Sequence, residues 1–361
     1  MKVAILGTRG VPNEYGGFER FAEVLSARLA LRGVNVYVFS QVSKSSAAYM
    51  YGNVWVVPIA VPSFVPSNIQ TLLYDFLSLV KAKRMGHHLV LECGYSFAPW
   101  LFLFKKRFRK RVIVNMDGLE YSRAKWGFMA RLFLRFCEYC AVKLCPNLIV
   151  DSRAIGTILY QKYAVSSAFI PYGANICSHS NIPINVPDGY CLAIARITPE
   201  NSIRIMAEAA IIAKFPLVIV GNVESGYGKE MYQHYSSSEY IHFYGATYCQ
   251  EELNALRLRS YLYVHGHTVG GTNPSLLEAM ACGCAIVAHS NAFNREVLGD
   301  AGFYFSNEFE LAQLIKKSIS HNDFFPKQRV AIRDIVNENY NWEKISNDYF
   351  QLFEKVYDDV I

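Results

Sequence analysis

The chain has 361 residues, 52% hydrophobic and 18% charged, which is ample for two cores and excludes a disordered chain. The formal net charge of +6 is unevenly divided: residues 1–180 carry 22 Lys and Arg against 9 Asp and Glu, whereas 181–361 carry 14 against 21. No run reaches the roughly 18 uninterrupted apolar residues of a membrane-spanning helix, and the opening Met1-Lys-Val-Ala-Ile-Leu-Gly7 is too short an apolar stretch for a secretory leader.

Short apolar runs alternate with amphipathic stretches, the pattern of a parallel sheet flanked by helices. Strands are predicted over 3–6, 36–39, 54–57, 89–91, 112–115 and 148–151. Phe18, Phe21, Val24, Leu25 and Leu29 stand at helical spacing and predict a helix over 18–32, with Gly33 as its left-handed end. His87 and His88 fall at a helix-to-strand turn and are expected at the surface. The segment 178–188, with two prolines, reads as a linker, after which the pattern restarts. Strands over 190–195, 217–220, 241–244, 261–265 and 285–288 alternate with helices over 203–215, 250–260, 274–282 and 309–318. A last helix covers about 342–357. The fold class is therefore α/β, with two Rossmann-like domains facing across a cleft and ligands at the carboxyl ends of the strands.

The nine cysteines are expected as reduced core thiols in a cytosol. The run Lys105-Lys-Arg-Phe-Arg-Lys-Arg111 follows Trp100-Leu-Phe-Leu-Phe104. Such a cluster suits an anionic membrane surface, at about 1 kcal/mol per basic residue; a solvated helix end is the alternative. Nucleic acid is not expected, because no binding module accompanies the charge.

The segment 265–283 carries the most chemistry. A strand ends at His265, a loop with Gly270 and Gly271 follows, and Pro274 suits the first helical position. Thr272 or Asn273 would cap that helix, whose positive end attracts an anion. Glu278, one turn further in, could accept hydrogen bonds from two ribose hydroxyls; spacing alone equally allows an exposed glutamate on an ordinary helix. His265 and His267 have no third ligand at clear spacing, so zinc is not expected. Gly7-x-x-Gly10 lacks the G-x-G-x-x-G spacing of a NAD-dependent oxidoreductase.

This segment resembles the donor-binding region of glycosyltransferase family 4, which has the two-domain GT-B fold. More closely, the chain resembles the bacterial rhamnosyltransferase branch. Residues 7–19, 115–120 with Lys125 and Trp126, 195–201, 270–283 and 294–302 carry that likeness over nearly the full length. The resemblance implies an acceptor-side domain over 1–177, a nucleotide-sugar domain over 178–341, and a helix over 342–361 returning to the first. It implies that Glu278 binds ribose, that Arg196 steadies the diphosphate, and that Gly16 and Gly17 approach the phosphate and sugar. Gly245, with Ala246 and Thr247, falls where backbone groups hold the base. Asp117 falls beside the reacting sugar, or is a turn-forming Asp before Gly118. Asp117 and Glu120 are the candidate polar orienters of the acceptor.

Two positions depart from the wider family. Gly270 stands where a first glutamate is usual, and Asn201 where a second diphosphate-binding lysine is usual. Arg196, the helix end and Arg9 are then left to offset the diphosphate charge. The missing carboxylate points to dTDP-L-rhamnose over a UDP-hexose as donor. The expected reaction is retaining and metal-independent, with no cofactor beyond the nucleotide sugar as substrate. The acceptor is a saccharide, lipid-linked, in cell-surface polysaccharide synthesis at the inner face of the cell membrane. A sugar-nucleotide epimerase and a non-catalytic sugar-nucleotide-binding subunit are the alternatives.

Overall fold

A computed structural model of the chain describes residues 1–123, 126–177, 179–320 and 325–360. It divides into two compact units: Met1–Pro171 with the C-terminal helix Trp342–Val360, and Tyr172–Asn341.

The first unit is built on a sheet of β1 (Lys2–Leu6), β2 (Asn35–Val42), β3 (Tyr49–Tyr51), β4 (Val54–Ala60), β5 (Leu89–Cys93), β6 (Val112–Asn115), β7 (Asn147–Val150) and β8 (Ala168–Phe169). Their spatial order is β3-β4-β2-β1-β5-β6-β7-β8, and every neighbouring pair is parallel except β3 and β4. Val3, Ala4, Ile5 and Leu6 are fully buried, as a strand covered on both faces requires. The order reverses between β2 and β5 around β1, so the turn after β1 lies at a topological switch point. Gly33 does take the left-handed conformation (φ 79°) after the helix Gly17–Leu31.

The helix Trp342–Val360 buries Trp342, Ile345, Tyr349, Phe353 and Val356 at helical spacing. Phe21 meets it, with ring centroids 5.4 Å from Tyr349 and 6.2 Å from Trp342. Arg28 and Arg32 also reach Glu343, but that carboxylate is 76% exposed, so the apolar face holds the helix.

Two carboxyl groups sit inside this unit. Asp75, on the helix Ser67–Arg84, accepts from Ser96 Oγ at 3.0 Å, and Glu92 lies within β5. Burial pushes Asp75 up to about 7 and Glu92 well above the usual carboxylate range. A folded-state value above the unfolded one means that the native state holds the extra proton. Stability therefore falls as pH rises from about 4 to about 7. Asp75→Asn should gain about 1–3 kcal/mol at pH 8 and little at pH 5, read from urea denaturation at both values.

His87 is buried, not exposed: its Nδ1 lies 3.0 Å from the Ala82 carbonyl, and its ring stands edge-on to Tyr37. The helix before it ends at Arg84, and the chain turns inward through Gly86 (φ 68°) before β5.

The second unit carries β9 (Cys191–Ile194), β10 (Leu217–Val220), β11 (Ile241–Gly245), β12 (Leu262–His265), β13 (Ile286–His289) and β14 (Phe303–Phe305). The order is β11-β10-β9-β12-β13-β14, all parallel. Here β9 is the switch strand, between β10 and β12, so the loops leaving β9 and β12 are neighbours. The helix after β9 runs Ile203–Ala213, ended by Lys214 in the left-handed region (φ 55°), two residues short of the predicted end. Seven of the nine cysteines are buried, Cys282 and Cys284 among them, and all nine are free.

Candidate functional site

Arg196 follows β9 and its side chain is exposed. The loop that carries it is tightly braced. Asn201 Nδ2 donates to the Arg196 carbonyl at 2.8 Å, and the Glu200 carbonyl accepts from both the amide and the hydroxyl of Thr268. Gly266, the first residue after β12, passes so close that a Cβ there would lie 2.4 Å from the Asn201 carbonyl oxygen. The two loops at the switch point are thus stitched together, and Asn201 serves as a brace where a lysine was usual.

The helix Pro274–Ala281 has Pro274 at its start and Asn273 as its cap, Asn273 Oδ1 accepting from the Ser275 amide at 2.9 Å. Thr272 is buried in the preceding loop. Ser275 Oγ donates to the Ile194 carbonyl at 3.0 Å and meets the Tyr263 hydroxyl, so the helix start is tied to β9 and β12. The positive end of this helix therefore has a fixed place beside the Arg196 loop.

Glu278 sits one turn in. Its Oε2 is 2.6 Å from Arg257 Nη2, and the side chains are 16% and 1% exposed. Arg257 belongs to the helix Gln250–Arg259 and occupies its inward face with Leu253 and Leu256. A buried guanidinium needs a carboxylate to offset its desolvation, and Glu278 supplies it. The Glu278 side chain is thereby held in one orientation.

Gly270 has φ 120°, and nothing lies within 4 Å of the place a Cβ would take. Backbone conformation, not crowding, favours glycine there. The absent carboxylate is therefore coupled to the path of the loop. Gly270→Glu should lower unfolding stability by about 1–2 kcal/mol, measured by denaturant titration.

Gly245 ends β11 with φ 92°, and its carbonyl accepts from the Gly221 amide at 3.0 Å. The turn behind it is held by Glu252, whose carboxylate accepts from Tyr244 and Thr247. His265 and His267 stack with ring centroids 4.4 Å apart. His265 is fully buried, and burial lowers its pKa well below the usual histidine range, so it is neutral.

In the first unit, the Arg9 amide donates to Glu19 Oε1 at 2.8 Å, and its guanidinium lies 3.5 Å from the Tyr15 ring centroid. Gly16 precedes the helix that Gly17 opens; at φ 175° its backbone is extended, open to any residue. The nearest atom a Gly16 Cβ would meet is Glu19 Oε2 at 3.5 Å, so Gly16 leaves that helix entrance clear. Asp117 is half-buried, after β6 and before Gly118 (φ 67°). Burial first, then the charges of Glu92, Glu19 and Asp117, raise the Cys93 thiol well above its usual value; Cys93 ends β5 opposite Asn115, the last residue of β6.

Glu120 is held by its own loop. Its Oε1 accepts from Trp126 Nε1 at 3.1 Å, its Oε2 pairs with Arg123 Nε at 2.6 Å, and its amide donates to the Tyr95 hydroxyl. Both carboxylate oxygens are engaged by its own loop, so it braces that loop. Lys125 lies outside the described residues.

Arg196, Gly245, Gly270, Gly271, Thr272, Asn273 and Glu278 thus follow the carboxyl ends of strands β9, β11 and β12 of the second sheet. Arg9, Gly16, Gly17, Asp117 and Glu120 belong to the carboxyl end of the first. Arg257 and Glu252 were missed; an arginine at an apolar-phase position of the 250–260 helix was the available signal for the former.

Residues 178–334 match the family model of glycosyl transferases group 1, and residues 1–175 match a domain of unknown function (DUF1972). An uncharacterized glycosyltransferase of Methanocaldococcus jannaschii is 32% identical over 111 residues, 29% of this chain and 28% of that protein. Sucrose-phosphate synthase from Thermosynechococcus elongatus is similar in structure, with a TM-score of 0.81 and 17% identity over 99% of each chain. Anabaena HepE, solved with UDP and glucose, gives 0.73 and 16% identity over 98% of this chain and 100% of its own. Both units, each a sheet of mainly parallel strands flanked by helices, match these structures of the GT-B class.

Proposed function

We propose, for a chain whose residues 178–334 form a glycosyl transferases group 1 domain, that the second unit binds a nucleotide sugar and that the protein transfers its sugar to a saccharide acceptor. The observation that carries this reading is the Glu278–Arg257 clamp, one turn inside a capped helix whose start is tied to the Arg196 loop. Glu278 receives the hydroxyls of the nucleoside sugar, both of them in a ribonucleotide and the 3′-hydroxyl in a deoxyribonucleotide, and the turn at Gly245 holds the base. Glycosyl transfer breaks the anomeric C–O bond and leaves negative charge on the departing diphosphate. Arg196 and the helix end offset that charge where it develops.

The acceptor side belongs to the first unit, with Asp117 as the polar orienter. The clear helix entrance at Gly16 and Gly17 suits an approaching sugar, with Arg9 as the nearby cation. We read the transfer as retaining and metal-independent, with a lipid-linked acceptor in surface polysaccharide synthesis at the inner membrane face. The donor is dTDP-L-rhamnose, because Gly270 offers no carboxylate to the sugar. A UDP-hexose is the second reading, favoured by the likeness to HepE, solved with UDP and glucose.

A panel of nucleotide sugars, incubated with and without lipid-linked saccharide in EDTA, tests this. Nucleotide release that requires the acceptor supports transfer. Isomer formation without acceptor would indicate an epimerase, and binding without turnover a non-catalytic subunit.

A further inference from the structure

We infer that the outer face of the helix Phe128–Leu144 is a docking surface that seats the first unit on an anionic lipid bilayer. This helix is apolar on two sides. Leu134, Cys137, Cys140 and Ala141 face the core, as a helix of an α/β unit requires. On the outside, Phe128 is 80% exposed, Met129 72%, Leu132 54% and Phe136 47%. Positions 128, 132 and 136 recur every four residues, so these side chains form one stripe. Nothing among the described residues covers it.

Charge decides the occupant. Arg131, Arg135 and Lys143 are exposed on this helix. Its one carboxylate, Glu138, is 1% exposed and held by Lys162 Nζ at 2.5 Å and Tyr163 at 2.7 Å. The outer face therefore presents aromatic and aliphatic groups flanked by cations, with no anion. A second copy of the chain would set arginine against arginine across the contact. An anionic headgroup layer over acyl chains complements both features.

A neighbouring element repeats the pattern. The short helix Ala98–Leu103 packs against this helix and exposes Phe102 (60%) and Leu103 (67%). Lys105, Lys106 and Arg107 follow directly, all exposed. The basic run thus lies next in the chain to an apolar contact, and the stripe on 128–144 supplies the insertion that charge alone does not.

The inference deepens the membrane reading above and rests on it for the acceptor's location. Its test needs no donor. The full chain is sedimented with phosphatidylglycerol vesicles, and separately with phosphatidylcholine vesicles. The wild type should bind the anionic vesicles, and Phe128→Ser/Leu132→Ser/Phe136→Ser should weaken that binding by about tenfold or more. Arg131→Gln/Arg135→Gln, which keeps the stripe, should weaken anionic binding alone. UDP and dTDP affinities should stay unchanged in both variants, which separates this surface from the donor site. Equal vesicle binding by wild type and triple variant would overturn the inference. So would a wild type that ignores vesicles and whose mass by light scattering halves in the triple variant.

Discussion

Glu278→Ala should weaken nucleotide binding and destabilise the second unit together. A carboxylate accepting both ribose hydroxyls of UDP makes two charge-assisted hydrogen bonds, and their loss should weaken UDP binding by about 100-fold; the deoxyribose of dTDP offers its 3′-hydroxyl alone, so dTDP binding should weaken by about tenfold. The stability loss has a different origin. Arg257 is 1% exposed and its partner oxygen is 2.6 Å away, so alanine leaves a buried cation without its counter-charge. Breaking such a pair costs about 3 kcal/mol. The two effects separate in Arg257→Met/Glu278→Ala. Removing both charges should restore most of the stability, because a packed apolar side chain replaces the stranded guanidinium, while binding stays weakened. Calorimetric titration and urea denaturation of the three variants read both quantities. A Glu278→Ala protein that binds nucleotide as the wild type does would end the ribose assignment.

Arg196→Ala should behave in the opposite way. The side chain is exposed and the brace on its loop uses only the Arg196 carbonyl, so the fold should not notice its removal. Turnover should fall by about 10²–10³, since one preorganised donor to the developing diphosphate charge is lost. The loss should lie in kcat more than in KM, because the charge grows as the anomeric bond breaks. Arg196→Lys should recover part of it. Steady-state kinetics on the best donor decides, and an unchanged kcat in Arg196→Ala would remove this residue from the chemistry.

The long buried strands were legible because their signal is local. An uninterrupted apolar run such as 3–6 or 217–220 allows few other structures, and β1 and β10 include those residues. The short strands were not: β3 has three exposed residues, and β8 is a two-residue pairing with β7, so partners across the sheet define both. The helix Pro326–Asn339 is mostly polar; it buries Gln328, whose side chain bonds the backbone of Ile286 in β13. No periodicity announces a contact of that kind.

For the site, the capped helix start at Asn273 and Pro274 could be read from residue types, because capping is chemistry between near neighbours. The Arg257 clamp could not, since it joins residues 21 apart on two helices. Glu120 shows the converse: a carboxylate in a promising motif also has near partners, Arg123 and Trp126 in its own loop. Gly270 changed meaning as well. From sequence it is a missing carboxylate; in the fold it is also a residue at φ 120°, a conformation that side chains rarely adopt.

Hydrogen exchange of the full chain with and without saturating dTDP or UDP tests the donor site most directly. Exchange should slow at the amides of 270–278 and of the turn at 245–247. Saturation with protection confined to other segments, or with none at all, would contradict it.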